Sequence, residues 1–491
     1  MLSKGIDTFA IVGIEGASIT FSIPDDYGDG TQSAPYSWSS GPQPVFQLGN
    51  IQLYEDDIPV LSHYGQFTWT AQVSGQTVGT QFWEIAPSTG SMDTSNGPYN
   101  MMQQTGTSNS TGNWALSYGF YDSGSGYSGL SNQDQSWVYL TPDMSNWMGD
   151  LVQQHPQIGA GPLSAFVLPG AHDAGMYDST AIESLSDLAT VLGAVVAAVG
   201  TLTLGIIVPF LGPLLQILET ANNLLLCKAL QNFSVTQVNP PAIALDMGVR
   251  YFDFRPGYCC EGVPLSGIYH QHAFIPGATY QDFLEGVFGW LLNNPSEVVV
   301  ISANFQGFAQ TSMQPSVATL QQVVNAAQQS AGAQNIKTGG PADLVRSYND
   351  LAHDKMQVIF LNQIDDKPDD PNNVPKYDSY APAAYATTQV GPILQALAGM
   401  NQAGQAGSTY TVMQLQGTSQ SASGVAPAVI SDDSWSGSSL MMTKAQFDSA
   451  TYPWLIQNLR NNLGSNQLIV LLNDFCDNAL ASVAMSIMAA G

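Results

Sequence analysis

The sequence predicts an α/β protein in which a β-rich N-terminal region precedes a TIM-type (β/α) barrel in a distorted form. The first observation is length, since 491 residues exceed what one hydrophobic core usually organises. The second is a change of texture near residue 150, from short alternating runs to apolar strands that alternate with helical segments. We therefore predict an all-β, sandwich-like accessory domain at 1–145 and a barrel domain at 146–491.

The N-terminal region consists of short alternating runs, such as 9–14, 66–73 and 114–120, separated by segments rich in Gly, Asp and Ser. This spacing is typical of a β-sandwich or a small barrel. The region contains no catalytic constellation, and we interpret its one histidine, His63, as a surface or packing residue. Its tryptophans Trp38, Trp69 and Trp83 could stack on sugars or lie at a lipid interface, although aromatic residues in strands more often belong to a core.

The C-terminal region reads as strands and helices in alternation, which favours a barrel with its active site at the carboxyl ends of the strands. A helix is expected after Thr279, whose side chain can cap a turn that contains Asp282, and two more at 316–331 and 444–463. The candidate strands are 164–168, 249–254, 268–272, 297–302, 356–361, 410–415 and 467–473.

An apolar insertion at about 186–227 interrupts this alternation. Residues 189–218 carry no charge and are long enough to span a bilayer. Pro209 and Pro213, together with several glycines, favour two short apolar helices instead. We expect a buried hairpin first, a membrane-touching element second and a transmembrane helix last, because no basic flank marks an orientation.

The charge balance excludes one class of partner. Asp and Glu number 38 against 11 Lys and Arg, giving a net charge of −27. Nucleic acid is not expected to bind, because that requires a basic surface. Contact with a membrane surface would need apolar insertion or a local cationic pocket. Four cysteines do not decide the compartment and no signal peptide is visible at the N-terminus, but we favour a secreted or cell-surface location.

Two motifs place titratable and charged side chains at the ends of predicted strands. In Leu168-Pro-Gly-Ala-His-Asp-Ala-Gly-Met-Tyr177, His172 and Asp173 follow a short apolar strand. In Gly248-Val-Arg-Tyr-Phe-Asp-Phe-Arg-Pro-Gly257, Asp253 and Arg255 share one strand face, because side-chain direction repeats every two residues. The second motif predicts either a structural ion pair or an anion site in which Arg255 holds a phosphate.

A third motif, Tyr269-His-Gln-His272, places two histidines on one face at a strand end. Two histidines, an arginine and supporting aspartates suit the cleavage of a phosphodiester by an internal hydroxyl. One histidine removes the hydroxyl proton, the arginine stabilises charge on the phosphorus oxygens, and the other histidine protonates the leaving alkoxide. This chemistry requires no metal.

Taken together, the three motifs resemble those of the X domain of phosphatidylinositol-specific phospholipases C. The segment Asn294-Pro-Ser-Glu-Val-Val-Val-Ile-Ser302 is similar to the strand that follows their second catalytic histidine, and Leu471-Leu-Asn-Asp474-Phe resembles their last barrel strand. The resemblance covers about 310 residues in the same order. It implies a phosphodiesterase that cleaves the glycerol–phosphate bond of an inositol phospholipid through a cyclic phosphate and releases diacylglycerol.

The resemblance also implies residue roles. His172 becomes the general base, with Asp474 as its orienting partner. His272 becomes the general acid, with His270 as the competing candidate. Arg255 becomes the phosphate-binding residue.

Asp173 and Asp253 are implied to support this site. An arginine two residues after Asp253 resembles the metal-independent bacterial branch, so no cofactor is expected, while calcium is left open. Asn304 and Gln414, with His270, are candidates for substrate binding. The residues that would hold inositol hydroxyls are not located, so another polyol phospholipid or phosphodiester is an open variant.

Two alternatives belong to other classes of function. The protein could be a catalytically inert lipid- or glycan-binding module, but an inert site needs neither the histidines nor Arg255. It could also be a membrane-active protein that uses the apolar insertion. Liposome leakage that survives loss of His172 would indicate the second alternative.

Overall fold

A computed structural model describes residues 6–22, 33–37, 45–51, 65–86, 91–92, 107–108, 114–121, 134–178, 234–258, 267–272, 275–306, 313–364, 370–417 and 439–490. The predicted apolar insertion at about 186–227 lies outside these residues, as do His63 and Trp38. Within the part of the chain that is described, no helix has the length and apolar character needed to cross a bilayer.

The N-terminal region forms two five-stranded sheets with the orders β4-β1-β10-β9-β8 and β3-β2-β5-β6-β7. Neighbouring strands are antiparallel except β1 and β10, which pair in parallel. The strands are β1 Ile6–Val12, β2 Ala17–Ser22, β3 Ser33–Ser37, β4 Val45–Ile51, β5 Gly65–Val73, β6 Gln76–Ala86, β7 Ser91–Met92, β8 Thr107–Ser108, β9 Trp114–Tyr121 and β10 Asp134–Pro142.

One apolar core fills the space between these two sheets. Alternate residues of β1, β9 and β10 meet alternate residues of β2, β5 and β6, as expected for strands with one buried face. Trp69 and Trp83 belong to this core and are each 1% exposed. A surface role for these two tryptophans in binding sugar or lipid is therefore wrong, because their rings pack against Tyr118 and Phe120.

The C-terminal region is a mixed α/β fold with a curled parallel sheet of eight strands in the order β17-β18-β16-β12-β11-β21-β20-β19. All adjacent strands in this sheet pair in parallel. An isolated bridge between Asn362 and Asn373 also links the end of β18 to the segment before β19. The strands are β11 Val167–Ala171, β12 Tyr251–Phe254, β16 Val299–Ala303, β17 Lys337–Gly339, β18 Met356–Phe360, β19 Lys376–Asp378, β20 Tyr410–Gln414 and β21 Leu468–Asn473.

Helices follow most of these strands and cover the sheet. The predicted helix after Thr279 is confirmed, and Thr279 Oγ1 accepts the Asp282 backbone N–H at 3.0 Å. The described helices are α1 Trp147–Gln154, α2 Pro156–Ala160, α3 Pro241–Asp246, α4 Tyr280–Leu291, α5 Val317–Ser330, α6 Tyr348–His353, α7 Pro382–Tyr385, α8 Val390–Gly399, α9 Gln402–Gln405, α10 Ser439–Asn462 and α11 Asn478–Ala490.

Two predictions about the barrel strands are wrong. Residues 268–272 form a strand, but β14 Ile268–His272 lies in a separate antiparallel sheet between β13 Pro256–Tyr258 and β15 Ile275–Thr279. The barrel sheet instead contains β17 and β19, each of three residues, which are too short to show an apolar period.

Of the two N-terminal sheets, the one that contains β1, β9 and β10, hereafter the N-terminal sheet, also packs directly on the α/β region. Trp137 and Tyr139 of β10 lie in the same hydrophobic cluster as residues of α1, α10 and α11. The Asn478 side-chain amide donates to the carbonyls of Ala115 at 3.0 Å and Tyr139 at 3.1 Å. β10 therefore has apolar neighbours on both faces: the second N-terminal sheet on one, and the α/β core on the other.

Candidate active site

Three neighbouring strands bring the predicted catalytic residues to one edge of the parallel sheet. β11 lies between β12 and β21. His172 follows β11, Arg255 follows β12, and Asp474 follows β21. Because the carboxyl ends of parallel strands meet at the same edge, residues that are about 300 positions apart in sequence come into contact.

His172 is in contact with Asp474. Its Nδ1 lies 2.8 Å from Asp474 Oδ1, and its backbone N–H donates to the Asn473 carbonyl at 3.0 Å. Burial lowers the pKa of His172, but the Asp173 and Asp474 carboxylates outweigh that effect and raise the pKa to about 9. The ring is 15% exposed, so Nε2 can meet a ligand.

Arg255 reaches the other ring nitrogen of this histidine. Its NH2 group lies 3.1 Å from His172 Nε2 and 3.6 Å from Asp253 Oδ2. Arginine can only donate, so the contact with His172 requires a lone pair on Nε2 and therefore a neutral ring. Protonation of His172 and this contact exclude each other. The contact with Arg255 fits a neutral ring, whereas the nearby carboxylates favour the charged form.

Asp173 lies at the centre of the site and is fully buried. Its Oδ1 is 2.7 Å from Arg255 Nε, a close ion pair that lacks the alignment of a hydrogen bond. Its Oδ2 lies 3.5 Å from His172 Nε2 and 3.7 Å from His272 Nε2. Burial raises the pKa of Asp173, but Arg255 and the histidines hold it well below the ordinary value. The carboxylate thus links both candidate catalytic histidines to the arginine.

The backbone is strained on both sides of the His172–Asp474 pair. Asp173 has φ of 43° and Phe475 has φ of 48°, a left-handed backbone conformation that residues other than glycine rarely adopt. Each residue directly follows one member of the pair. Such strain persists only where surrounding contacts fix it, and it clusters at functional sites.

The two histidines of β14 have different surroundings. His270 is fully buried, its Nδ1 accepts the Arg255 backbone N–H at 3.2 Å, and its Nε2 lies 3.3 Å from Asp173 Oδ1. Both of its nitrogens are engaged inside the protein. Gly175 makes room for this ring, because a Cβ there would lie 2.3 Å from His270 Cβ.

The His272 side chain is instead 15% exposed. Its Nδ1 lies 3.2 Å from the Ser234 carbonyl oxygen, so Nδ1 carries a proton and Nε2 is directed toward Asp173. Burial lowers the pKa of His272 to about 4. Of the two candidates, His272 is the one whose side chain is partly exposed, while His270 is fully buried.

The predicted substrate-binding residues Asn304 and Gln414 are engaged with carboxylates. The Asn304 side-chain amide donates to Asp253 Oδ1, which fixes the carboxylate beside Arg255. The Gln414 amide donates to both oxygens of Asp378, at 3.0 and 3.1 Å. Both side chains are buried and hold acidic groups in position.

A second polar wall, not predicted from the sequence, is formed by Lys376 and Asp378 of β19 and by Tyr380 just after it. Lys376 Nζ lies 2.8 Å from Asp378 Oδ2. Tyr380 is 39% exposed; burial raises the pKa of its hydroxyl, and Arg255 acts in the opposite direction. The one available signal was the long interval between the strands at 356–361 and 410–415, which leaves room for another barrel strand.

The side chains around Arg255 include three potential metal ligands. His172, Asp173 and Asp253 can each bring one ligand atom within 4.8 Å of the others. Ca²⁺ takes about six to eight oxygen ligands, whereas this set offers two carboxylates and one histidine. The Arg255 guanidinium also contacts all three side chains. This donor set does not fit the oxygen-rich coordination of calcium.

The fold and site define an α/β protein with a histidine, arginine and aspartate cluster at the carboxyl edge of a parallel sheet. The chain is 29% identical over 167 residues to PI-PLC X domain-containing protein 1 of Mus musculus, covering 34% of this chain and 41% of that protein. It is 33% identical over 98 residues to the Homo sapiens protein of the same name, covering 20% and 30%. The predicted resemblance to the phosphatidylinositol-specific phospholipase C X-domain-like family is thereby confirmed.

The similarity is partial, since the chain spans about two fifths of the mouse relative's length. Comparison with solved structures finds phosphatidylinositol-specific phospholipase C from Listeria monocytogenes, with 14% identity, a TM-score of 0.39, and coverage of 70% of this chain and 98% of that one. A mutant of the Staphylococcus aureus enzyme has 15% identity, a TM-score of 0.39, and coverage of 70% and 96%. No protein-family model matches the chain.

Proposed function

We propose that this protein is a phosphodiesterase that cleaves the glycerol–phosphate bond of an inositol, or similar polyol, phospholipid. The observation that carries the proposal is the placement of His172 Nε2, Arg255 and His272 Nε2 around the buried Asp173 carboxylate. The proposal also rests on the similarity to PI-PLC X domain-containing proteins. Its substrate would be met at a membrane surface.

In the proposed reaction, His172 Nε2 removes the proton from a head-group hydroxyl next to the phosphate. The hydroxyl oxygen forms a bond to phosphorus, and the bond between phosphorus and the glycerol oxygen breaks. His272 enters this step protonated on both ring nitrogens, a form that the nearby Asp173 carboxylate favours, and gives its Nε2 proton to that oxygen, so the products are a cyclic phosphate and diacylglycerol. Asp474 keeps the Nδ1 proton of His172 in place, which fixes the tautomer that can act as a base.

Arg255 would bind the phosphate and stabilise the charge that gathers on its oxygens. Its guanidinium is already oriented by Asp173 and Asp253 and needs little reorganisation. When its NH2 group turns to the phosphate, His172 Nε2 is released beside the head-group hydroxyl. We propose on this basis that the reaction requires no metal, since the arginine supplies the positive charge.

The head group would lie against the wall of Lys376, Asp378 and Tyr380. Asp378 can accept hydrogen bonds from hydroxyls, while Gln414 and Lys376 fix its orientation. The exposed face of Tyr380 suits the CH groups of a polyol ring. This wall offers a hydroxyl-rich head group a hydrogen-bond acceptor at Asp378 and an aromatic face at Tyr380.

The first experiment measures water-soluble phosphate released from phosphatidylinositol vesicles in the presence of EDTA. Cyclic inositol phosphate from the native protein, and none from His172→Ala, is the expected result. No product from any polyol phospholipid would contradict the proposal. Liposome leakage that persists in His172→Ala would instead support the membrane-active alternative.

A second experiment assigns the acid and the base. A soluble substrate whose leaving group is a nitrophenol needs little protonation, so an acid variant should recover most of its activity on it. We expect this recovery for His272→Ala and not for His172→Ala. Recovery in His172→Ala alone would mean that His172 is the acid and His272 the base. The raised pKa of His172 in the substrate-free protein favours this reversed assignment.

A further inference from the structure

A cluster of buried charges lies behind Asp474, away from the reacting face of His172. Lys444 Nζ is 2.5 Å from both Asp448 Oδ2 and Asp477 Oδ2. The three side chains are at most 1% exposed. Placing such ions in an interior is costly unless their hydrogen bonds are complete, so the cluster is a poor source of stability in itself. The proposed reaction assigns it no part.

Asn473 connects this cluster to the proposed catalytic pair. Its side-chain amide donates to Asp448 Oδ1 at 2.9 Å and to the Tyr452 hydroxyl at 3.1 Å. Its Oδ1 accepts the Asp474 backbone N–H at 3.0 Å, and its carbonyl accepts the His172 backbone N–H at 3.0 Å. Asn473 therefore joins the buried charges to the Asp474 backbone through its side chain, and it contacts the His172 backbone through its own carbonyl.

The N-terminal sheet completes the cluster. The Tyr139 hydroxyl, which comes from β10, donates to Asp448 Oδ2 at 3.1 Å, and Lys444 Nζ lies 5.6 Å from the centre of the Tyr139 ring. The Tyr452 hydroxyl donates to Asp477 Oδ2 at 3.3 Å. A continuous path of hydrogen bonds thus runs from the N-terminal sheet, through Asp448 and Asn473, to Asp474.

We propose that Asn473, Asp448, Lys444 and Tyr452 are positioning residues that fix Asp474 against His172, and that Tyr139 makes the N-terminal sheet part of this support. The inference rests on the proposed function of His172 as a catalytic histidine. None of these residues touches the proposed position of the substrate. They act through the angle and distance between Asp474 Oδ1 and His172 Nδ1.

The test uses the full-length protein and single hydroxyl deletions, because Asn473→Ala could fail to fold. Tyr452→Phe removes the group that accepts from Asn473, and Tyr139→Phe removes the donor from the N-terminal sheet. The matched control is Tyr348→Phe, a buried tyrosine whose hydroxyl donates to the Ser296 carbonyl, away from His172. The titration of the His172 ring is followed by NMR without substrate, and kcat and KM are measured on phosphatidylinositol vesicles.

We expect Tyr452→Phe to move the His172 titration toward the ordinary histidine value and to lower kcat about five- to tenfold with KM unchanged, as for the loss of one hydrogen bond. Tyr139→Phe should act in the same direction. The control should change neither quantity. A native His172 titration in both test variants would overturn the proposal. If the native protein releases no product, the proposed function fails, but the substrate-free titration still decides whether the network positions His172.

Discussion

The two arginines of the second motif lie at opposite ends of β12 and have opposite surroundings. Arg250, at the start of the strand, is fully buried and binds Glu297 Oε2 at 2.7 Å. It also donates to the carbonyls of Leu245 and Val249, each at 2.8 Å, and packs over the Trp290 ring. Its hydrogen bonds are directed to groups fixed inside the protein.

Arg255, at the other end, contacts groups that can change protonation or exchange partners. Its NH2 group faces His172 Nε2, which needs that position free when it acts as a base. A buried pair with complete hydrogen bonds is a structural element, whereas an arginine beside titratable histidines can rearrange around an anion. The same residue type, five positions apart, therefore supports stability at one end of the strand and the proposed chemistry at the other.

The largest effect is expected from Arg250→Met. The change leaves Glu297 buried without its partner, which costs about 3–5 kcal/mol in the free energy of unfolding. Chemical denaturation measures this loss, and kcat per folded molecule should remain near the native value. If Arg250→Met unfolds at the same free energy as the native protein, the Arg250–Glu297 pair is not the structural element described here.

Arg255→Lys tests the opposite end. Lysine keeps the charge but loses the planar fork, so kcat should fall about 10²–10³-fold, as for the loss of one preorganised donor. The unfolding midpoint should change little, because the lysine ammonium can still pair with Asp173. Unchanged release of inositol phosphate, together with a lowered midpoint, would make Arg255 a structural residue like Arg250.

The pH dependence of stability should originate at the Arg255 end, since the described contacts of Arg250 include no histidine. The pKa of His172 is raised from 6.5 to about 9, so its contribution to stability is complete below pH 6.5 and is lost as the pH rises through 9. The pKa of His272 is lowered to about 4, so its contribution is complete above pH 6.5 and is lost as the pH falls toward 4.

Denaturant unfolding at a series of pH values measures the loss of stability on both sides of pH 6.5. His172→Gln should flatten the decrease between pH 6.5 and 9, and His272→Gln should flatten the decrease between pH 6.5 and 4. Arg250→Met should lower the whole curve without changing its shape. Equal slopes in the native protein and in both histidine variants would contradict the assigned origin.

The smallest effect is expected from Thr279→Ala, which removes the cap of α4. This helix packs Phe283 against Phe254 and places Trp290 over Arg250, so it supports both ends of β12. The free energy of unfolding should fall by about 1 kcal/mol, with kcat unchanged. A loss of kcat would mean that the site depends on α4 more than its contacts indicate.

Much of this architecture could be predicted from the sequence because local signals are strong. The uninterrupted apolar run of β21 is typical of a strand buried on both faces, and Thr279 marks the start of α4. The motif around His172 predicted a titratable pair, His172 and Asp173, at the end of an apolar strand, and both residues directly follow β11. The short strands β17 and β19 could not be predicted, because three residues show no period.

The sequence by itself determined the order of the strands along the chain, the residue types at their ends, and the family resemblance. Only the tertiary structure decided that His270 is enclosed while His272 is accessible, because the two lie two positions apart on one strand and differ through contacts from Asp173, Arg255 and Ser234. Only the tertiary structure also shows the hydrogen bonds that connect Tyr139 and Asp448, through Asn473, to Asp474. Hydrogen bonds between residues about 300 positions apart depend on how strands and helices pack, and no local pattern records that packing.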